Sequence, residues 1–196
     1  MKKDNTTLAK KCSLRAQCIK EIKAPVILET HGGNGEIYKR VYSDYQGVVF
    51  EKSPVKAEKL ADQRPSWAVY ESDCITSLAG GAVDEPINFI DIDPYGDPWP
   101  VLQAYFNTDR EKQDKLIIVV NDGLRHKLKT GTGWRVESIS KAVSKYGSAR
   151  LYNDYLDVCE WMMAEIVGKA GYKIKKWTGY YCGHTQSMTH YAALCQ

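Results

Sequence analysis

Several patterns that mark particular protein classes are missing from this 196-residue sequence. Its six cysteines form no CxxC pair and no cluster with histidine. We therefore expect reduced, mostly buried thiols in a reducing, cytoplasmic setting, and no zinc site. No apolar signal-like segment follows the N-terminus, and no apolar run is long enough to span a membrane. No repeat or low-complexity linker interrupts the chain. This predicts one domain over residues 1–196, with residues 1–24 as a helical extension packed on it.

The sequence also lacks a large excess of positive or negative charge. The formal net charge is +3, which permits nucleic-acid binding without favouring it. Hydrophobic residues make up 43% of the chain and charged residues 26%, which is typical of a globular protein with a sizeable core. The same values argue against wholesale disorder.

Short apolar stretches alternate with helix-like stretches along the chain. Five of them are predicted strands: "APVILET", "GVVFEK", "SWAVYESD", "INFIDID" and "KLIIVVND". This alternation predicts an α/β fold with a doubly wound, mostly parallel sheet and helices on both faces. Two late stretches, "YKIKKWTGYY" and "MTHYAALCQ", predict an antiparallel C-terminal hairpin around the turn "CGHTQS". In such sheets ligands bind at the carboxyl ends of the strands, so polar residues there should converge.

The first predicted strand ends on Glu29 and enters the glycine-rich turn "THGGNG". Glycine lets the backbone approach a ligand closely, and the helix that follows offers free N–H groups. The turn is not GxGxxG, so it does not favour a pyrophosphate dinucleotide. No Gly-Lys-Ser/Thr follows, which excludes a phosphate-binding P-loop. A tight turn without a ligand remains an equal alternative.

Two more acids end the next two predicted strands. Glu51 lies where a carboxylate can accept hydrogen bonds from both hydroxyls of a ribose. Asp73 lies where a carboxylate can accept one from an adenine amino group. The alternatives are a solvated strand end for Glu51 and a helix N-cap for Asp73.

Together these residues resemble the Rossmann-like S-adenosylmethionine-dependent methyltransferases. "ILETHGGNG" is similar to the first motif of that family, and Glu51 and Asp73 match its ribose-binding and adenine-binding acids. The resemblance spans about residues 8–196 and implies seven strands, with S-adenosylmethionine as cofactor. His31 is expected at the methionine end of that cofactor, or else pointing into water. The cofactor-binding residues that it implies are Glu29, His31, Gly33, Gly35, Glu51, Asp73, Cys74 and Asp91.

The fourth predicted strand continues into "NFIDIDPYGDPW", residues 88–99. "DPYG" resembles the motif of amino methyltransferases that act on nucleobases, and most closely the form in tRNA guanine-N2 dimethyltransferases. The resemblance makes Asp93, Pro94 and Tyr95 the catalytic residues. A carboxylate and a proline-held carbonyl can orient a conjugated amine, and an aromatic ring can stack on a base. Asp91 is expected to support Asp93. The alternative is an ordinary turn, and Asp97 departs from the small residue that is usual there.

A basic stretch, "NDGLRHKLKTGTGWR", follows the fifth predicted strand. We expect it to be irregular and to border the same sheet edge. Basic residues interleaved with an aromatic suit phosphate contact and base stacking. Arg125, Lys127 and Trp134 are therefore candidate substrate-binding residues together with Tyr95, unless the stretch is only a solvated loop.

The expected function is methyl transfer to an exocyclic base amine of nucleic acid, with RNA guanine-N2 ahead of DNA adenine-N6. A small-molecule or protein N-methyltransferase of the same fold is one alternative. A non-catalytic nucleic-acid-binding partner that keeps the fold is another.

Overall fold

The computed structural model describes residues 7–131 and 136–196. At its centre is a sheet of seven strands, and within these residues the strands are β1 Val26–Glu29, β2 Gln46–Glu51, β3 Ala68–Glu71, β4 Phe89–Ile92, β5 Leu116–Asp122, β6 Ile174–Cys182 and β7 Met188–Cys195. Their order across the sheet is β3-β2-β1-β4-β5-β7-β6. Strands β1 to β5 pair in parallel, and β7 is antiparallel to both β5 and β6. The predicted sheet and its C-terminal hairpin are confirmed.

Helices cover both faces of the sheet. In the described residues the α-helices are α1 Leu8–Cys18, α2 Pro54–Gln63, α3 Cys74–Ala79, α4 Trp99–Phe106, α5 Leu124–Lys129, α6 Glu137–Tyr146, α7 Ser148–Leu151 and α8 Tyr155–Lys169. Neighbouring strand residues point to opposite layers, so Ile117 and Ile118 are both buried but in separate apolar clusters. The cluster around Ile117 contains residues of α1 and α2, and the cluster around Ile118 contains residues of α3, α4 and α8.

The stretch "EIYKRVYSDY" after the glycine turn contains a short π-helical turn, Tyr38–Tyr42. One local prediction differs from the structure. The expectation of an irregular basic stretch is wrong over Leu124–Lys129, which forms helix α5 directly after β5. Leucine, arginine and lysine favour helix. The glycine and threonine residues that flank "LRHKLK" are typical of loops and led to the expectation of an irregular stretch.

None of the helices in the described parts of the chain is long and apolar enough to span a membrane. All six cysteines are free thiols, and four of them are buried. Among the described residues, no three or more His, Cys, Asp and Glu side chains are grouped as metal ligands.

Candidate active site

The carboxyl ends of the parallel strands bring the predicted acids to one edge of the sheet. In the strand register, Glu29 of β1 is directly opposite Asp91 of β4, and Glu51 ends the neighbouring strand β2. The backbone N–H of Thr30 donates to the carbonyl of Asp91 at 3.0 Å, which joins the start of the glycine turn to β4. The convergence expected from the parallel arrangement is therefore present.

Glu51 fixes the glycine turn. Its Oε2 accepts a hydrogen bond from the backbone N–H of Gly33 at 2.9 Å, and its Oε1 accepts one from Ser53 at 2.9 Å. Gly33 and Gly35 have positive φ angles of 55° and 74°, which other residues adopt only with strain. A Cβ at Gly33 would meet nothing within 4 Å. The turn thus presents bare backbone to open space.

Glu29 is buried beneath this turn and forms an ion pair with Arg64, which follows helix α2. The guanidinium carbon of Arg64 lies 4.3 Å from the ring centre of Tyr38 and 4.9 Å from that of Trp67. Burial raises the pKa of Glu29 to about 7, although Arg64 opposes this shift. Glu29 therefore supports the turn from below, and its partner Arg64 was not predicted from the sequence.

Asp73 caps helix α3. Its Oδ1 accepts a hydrogen bond from the backbone N–H of Thr76 at 2.8 Å, and its Oδ2 forms an ion pair with Lys52. Lys52 and the Thr76 N–H lower the pKa of Asp73 to about 2. The N-cap alternative is thus observed, and the carboxylate remains partly exposed at the same sheet edge.

His31 and Cys74 meet between the glycine turn and α3. The Sγ atom of Cys74 lies 3.9 Å from Nε2 of His31, and Thr30 Oγ1 lies 2.8 Å from Nδ1 of the same ring. Burial lowers the pKa of His31 and raises that of Cys74 to about 11. Both side chains are therefore uncharged at neutral pH.

Asp91 is fully buried under helix α1. Arg15 donates from Nε to Oδ2 at 2.6 Å and from Nη2 to Oδ1 at 2.5 Å, and the hydroxyl of Tyr42 donates to Oδ2 at 2.7 Å. Arg15 also has no solvent exposure. Its spacing from Cys12 and Ile19 places it on the same side of the helix as these two apolar residues. An arginine on an apolar helix face indicates a buried carboxylate partner.

Asp93 begins the loop after β4 and is bound by the same helix. The Nζ atom of Lys11 lies 2.8 Å from both carboxylate oxygens, with side-chain exposures of 19% for Lys11 and 22% for Asp93. Burial raises the pKa of Asp93, but the charges of Lys11 and Arg15 outweigh it, so the pKa lies below its ordinary value. Asp93 is therefore ionised at neutral pH.

The rest of this loop presents Tyr95. Its side chain is fully exposed. Behind it, Gly96 accepts a backbone hydrogen bond from Gly123 at 2.9 Å, and a Cβ at Gly96 would lie 3.8 Å from Nζ of Lys127. Lys127 is thus brought to the loop, as predicted for a residue bordering this edge.

Asp97, the departure from the expected motif, anchors the loop. Its Oδ1 accepts a hydrogen bond from the Trp99 N–H at 3.0 Å, and its Oδ2 accepts one from the Ser138 hydroxyl at 2.8 Å. The first bond joins the loop to the first residue of helix α4, and the second joins it to α6. The departure therefore has a structural role.

Arg125 lies away from the site. Its guanidinium carbon is 4.1 Å from the ring centre of Tyr152 and 3.6 Å from that of Tyr181. Its N–H groups donate to the carbonyls of Tyr152 and Gln186. The side chain is committed to this packing, and the structure does not bring it to Tyr95. Trp134, the remaining predicted substrate residue, lies outside the described residues.

Asp122 ends β5 beside the loop and is fully buried. Its Oδ2 accepts hydrogen bonds from Tyr155 at 2.9 Å and Tyr191 at 3.2 Å, and its Oδ1 accepts one from the Leu124 N–H at 2.7 Å. Burial raises its pKa to about 7.

No family model matches the sequence, and no curated protein is similar to it in sequence. Solved structures are similar in fold. TYW2 from M. jannaschii in complex with AdoMet superposes with a TM-score of 0.60 at 11% identity, over 100% of this chain and 78% of that one.

Two further structures give the same result. The N-methyltransferase NodS from Bradyrhizobium japonicum WM9 in complex with S-adenosyl-L-homocysteine has a TM-score of 0.60 at 8% identity, over 98% of this chain and 88% of that one. The plantazolicin methyltransferase BamL, in complex with a triazolic desmethylPZN analog and SAH, has a TM-score of 0.59 at 10% identity. The match covers 98% of this chain and 85% of that one. The chain has the Rossmann-like fold of these methyltransferases, and at such identities the likeness concerns the fold alone.

Proposed function

We propose that the protein is an S-adenosylmethionine-dependent methyltransferase that acts on an exocyclic base amine of nucleic acid. RNA guanine-N2 is the first candidate and DNA adenine-N6 the second. The observation that carries the proposal is the loop after β4, where the ionised Asp93 lies next to the exposed Tyr95 at the sheet edge of the glycine turn. The bound S-adenosylmethionine of similar folds supports the cofactor. The free thiols suit a cytoplasmic protein.

The residues at the sheet edge fit this cofactor. Gly33 leaves space above the turn, and each Glu51 oxygen keeps a lone pair for a ribose hydroxyl. Asp73 can accept from an adenine amine, with the uncharged Cys74 and His31 alongside. When bound, S-adenosylmethionine supplies a methyl group on a positively charged sulfur.

Glu29 and Asp91 have a different part in the proposal. Each is buried and paired with an arginine, Glu29 with Arg64 and Asp91 with Arg15. We assign them to holding the strand ends and the glycine turn in place, where the resemblance implied contact with the cofactor. A paired charge that is closed off from solvent is a poor partner for a further ligand, whereas Asp93 remains partly exposed beside its own partner.

The acceptor would lie on the loop. Asp93 and the carbonyl of Pro94 accept hydrogen bonds from the amine, which orients its lone pair. Tyr95 stacks on the base through its fully exposed ring. Lys127 is placed to contact a phosphate.

Transfer of a labelled methyl group to separate pools of tRNA, rRNA and DNA, followed by nucleoside analysis, tests the proposal. We expect label on guanosine from RNA, as N2-methylguanosine. Label on adenosine from DNA selects the second candidate. Absence of label from every pool, with transfer to a peptide or a small amine, contradicts a nucleic-acid substrate.

A further inference from the structure

We propose that Lys11 of helix α1 limits the acceptor to neutral, weakly basic amines, because it already forms an ion pair with both oxygens of Asp93. The inference rests on the proposed function, since it concerns the same site. It makes Lys11 a positioning residue that acts through Asp93. An aromatic ring amine is accepted, and an aliphatic ammonium group is rejected.

The position of Lys11 is fixed by its neighbours on α1. One helical turn further on, Arg15 binds Asp91 with two hydrogen bonds of 2.6 and 2.5 Å, and both side chains are fully buried. The residue before Lys11 is also bound, because the backbone carbonyl of Lys10 accepts a hydrogen bond from the Tyr180 hydroxyl of β6 at 2.9 Å. The lysine ammonium is therefore held at Asp93 by the docking of the whole helix.

The charged groups around Asp93 balance one another. From α1 come the cations Lys11 and Arg15, and from β4 come the carboxylates Asp91 and Asp93. His31 faces Asp93 from the glycine turn and is uncharged, because burial lowers its pKa. On β7, burial first and then the two cations lower the pKa of His190 to about 3. These groups leave no surplus negative charge to attract a cationic acceptor.

Aliphatic amines and conjugated ring amines differ in their protonation at neutral pH. An aliphatic amine with a pKa of about 10.4 carries a proton at pH 7 and has no lone pair to offer. The charges of Lys11 and Arg15 lower the pKa of Asp93, so that its carboxylate is too weak a base to remove that proton. A conjugated ring amine is already neutral. Its nitrogen bonds to the methyl carbon as the S–C bond breaks, and sulfur keeps the electron pair. The nitrogen then releases a strongly acidic proton to the Asp93 carboxylate, and from there to water.

The experiment compares Lys11→Met with Lys10→Met, a control that removes the exposed neighbouring lysine side chain. Each variant receives guanosine-containing RNA or a lysine-rich peptide, and methyl transfer is measured across pH. Wild-type protein and the control should methylate RNA and spare the peptide. In Lys11→Met the acid limb of the pH profile for RNA methylation should move up by about one to three pH units, because Lys11 no longer lowers the pKa of Asp93. Its preference for RNA over the peptide should also fall at least tenfold, and Lys11→Arg should restore both.

The failure of this inference and the failure of the proposed function give different results. Suppose that Lys11→Met methylates RNA with the same acid limb of the pH profile and the same preference for RNA over the peptide as the wild-type protein. This result overturns the inference and leaves the proposed function standing. If no acceptor is methylated by the wild-type protein, both the inference and the proposed function fail. If Lys11→Met does not fold, as judged by circular dichroism, Lys11→Gln takes its place. Carboxyl NMR titration of Asp93 in either variant must then show a raised pKa, and an unchanged value contradicts the inference.

Discussion

Arg15 and Asp91 form a two-bond ion pair with no solvent exposure, and this pair joins helix α1 to the central strand of the candidate active site. Tyr42 donates a third hydrogen bond to the same carboxylate. The N-terminal helix is thereby part of the site, since the preceding turn of the same helix carries Lys11 to Asp93.

Replacing Arg15 by Met leaves Asp91 as a buried charge without its cation. The free energy of unfolding should fall by about 3–5 kcal/mol, as for other broken buried ion pairs. Urea denaturation measures this change. The matched control is Arg40→Met, which removes an exposed pair with Glu36 and should change the value by at most about 1 kcal/mol. Equal effects of the two substitutions would show that the buried pair does not anchor α1.

Asp122 makes stability depend on pH. Its pKa in the folded protein is about 7, above the ordinary aspartate value of 3.8, so the folded state holds a proton that the unfolded state releases. This contribution is complete below the unfolded pKa and is lost as pH rises towards 7. Glu29, with a pKa of about 7, acts in the same direction.

Asp122→Asn removes this titration while keeping the size of the side chain. We expect the decline of the free energy of unfolding between pH 4 and pH 7 to be shallower in the variant than in the wild-type protein. Urea denaturation at a series of pH values gives both slopes. Identical slopes would mean that Asp122 does not keep its proton in the folded state.

Glu51→Ala should weaken the binding of S-adenosylhomocysteine. The substitution removes the proposed ribose acceptor and the hydrogen bond to Gly33, and bonds to charged groups contribute about 1.5–3 kcal/mol. This corresponds to roughly a tenfold to hundredfold higher Kd in isothermal titration calorimetry. Glu71→Ala is the control, because Glu71 is exposed and lies opposite Glu51 on the neighbouring strand. Equal Kd values for the two variants would remove Glu51 from the cofactor site.

Tyr95→Ala should separate substrate binding from stability. The side chain is fully exposed, so the free energy of unfolding should change by no more than about 0.5 kcal/mol. Loss of a stacked base should raise KM for the RNA substrate by roughly 5- to 150-fold, since stacking contributes about 1–3 kcal/mol. Tyr95→Phe keeps the ring and should keep KM. An unchanged KM in Tyr95→Ala would place the base elsewhere.

The strand ends were predictable from the sequence, because local patterns determine them. The apolar stretches that end on Glu29 and Glu51 indicated the sheet edge, because parallel strands bring such ends together. The loop anchored by Asp97 also lies within one short stretch. These are the parts of the site that the chain specifies over a few residues.

Partners reached by long side chains were not predictable. Arg15 and Arg64 meet their carboxylates across 76 and 35 positions of the chain, so only the packing of helices on the sheet brings them together. Arg125 illustrates the reverse case. Its charge suggested substrate contact, but two tyrosines distant in sequence, Tyr152 and Tyr181, bury its guanidinium.

The substitution Asp93→Ala tests directly whether Asp93 acts on the acceptor amine. Methyl transfer to RNA and calorimetric binding of S-adenosylhomocysteine are measured on the same preparations. The control is Asp114→Ala, since Asp114 is exposed and lies just before β5, at the opposite end of that strand. We expect at least about a hundredfold lower transfer rate with nearly unchanged cofactor binding. Full transfer activity in Asp93→Ala, with the label on the same base, would contradict this expectation.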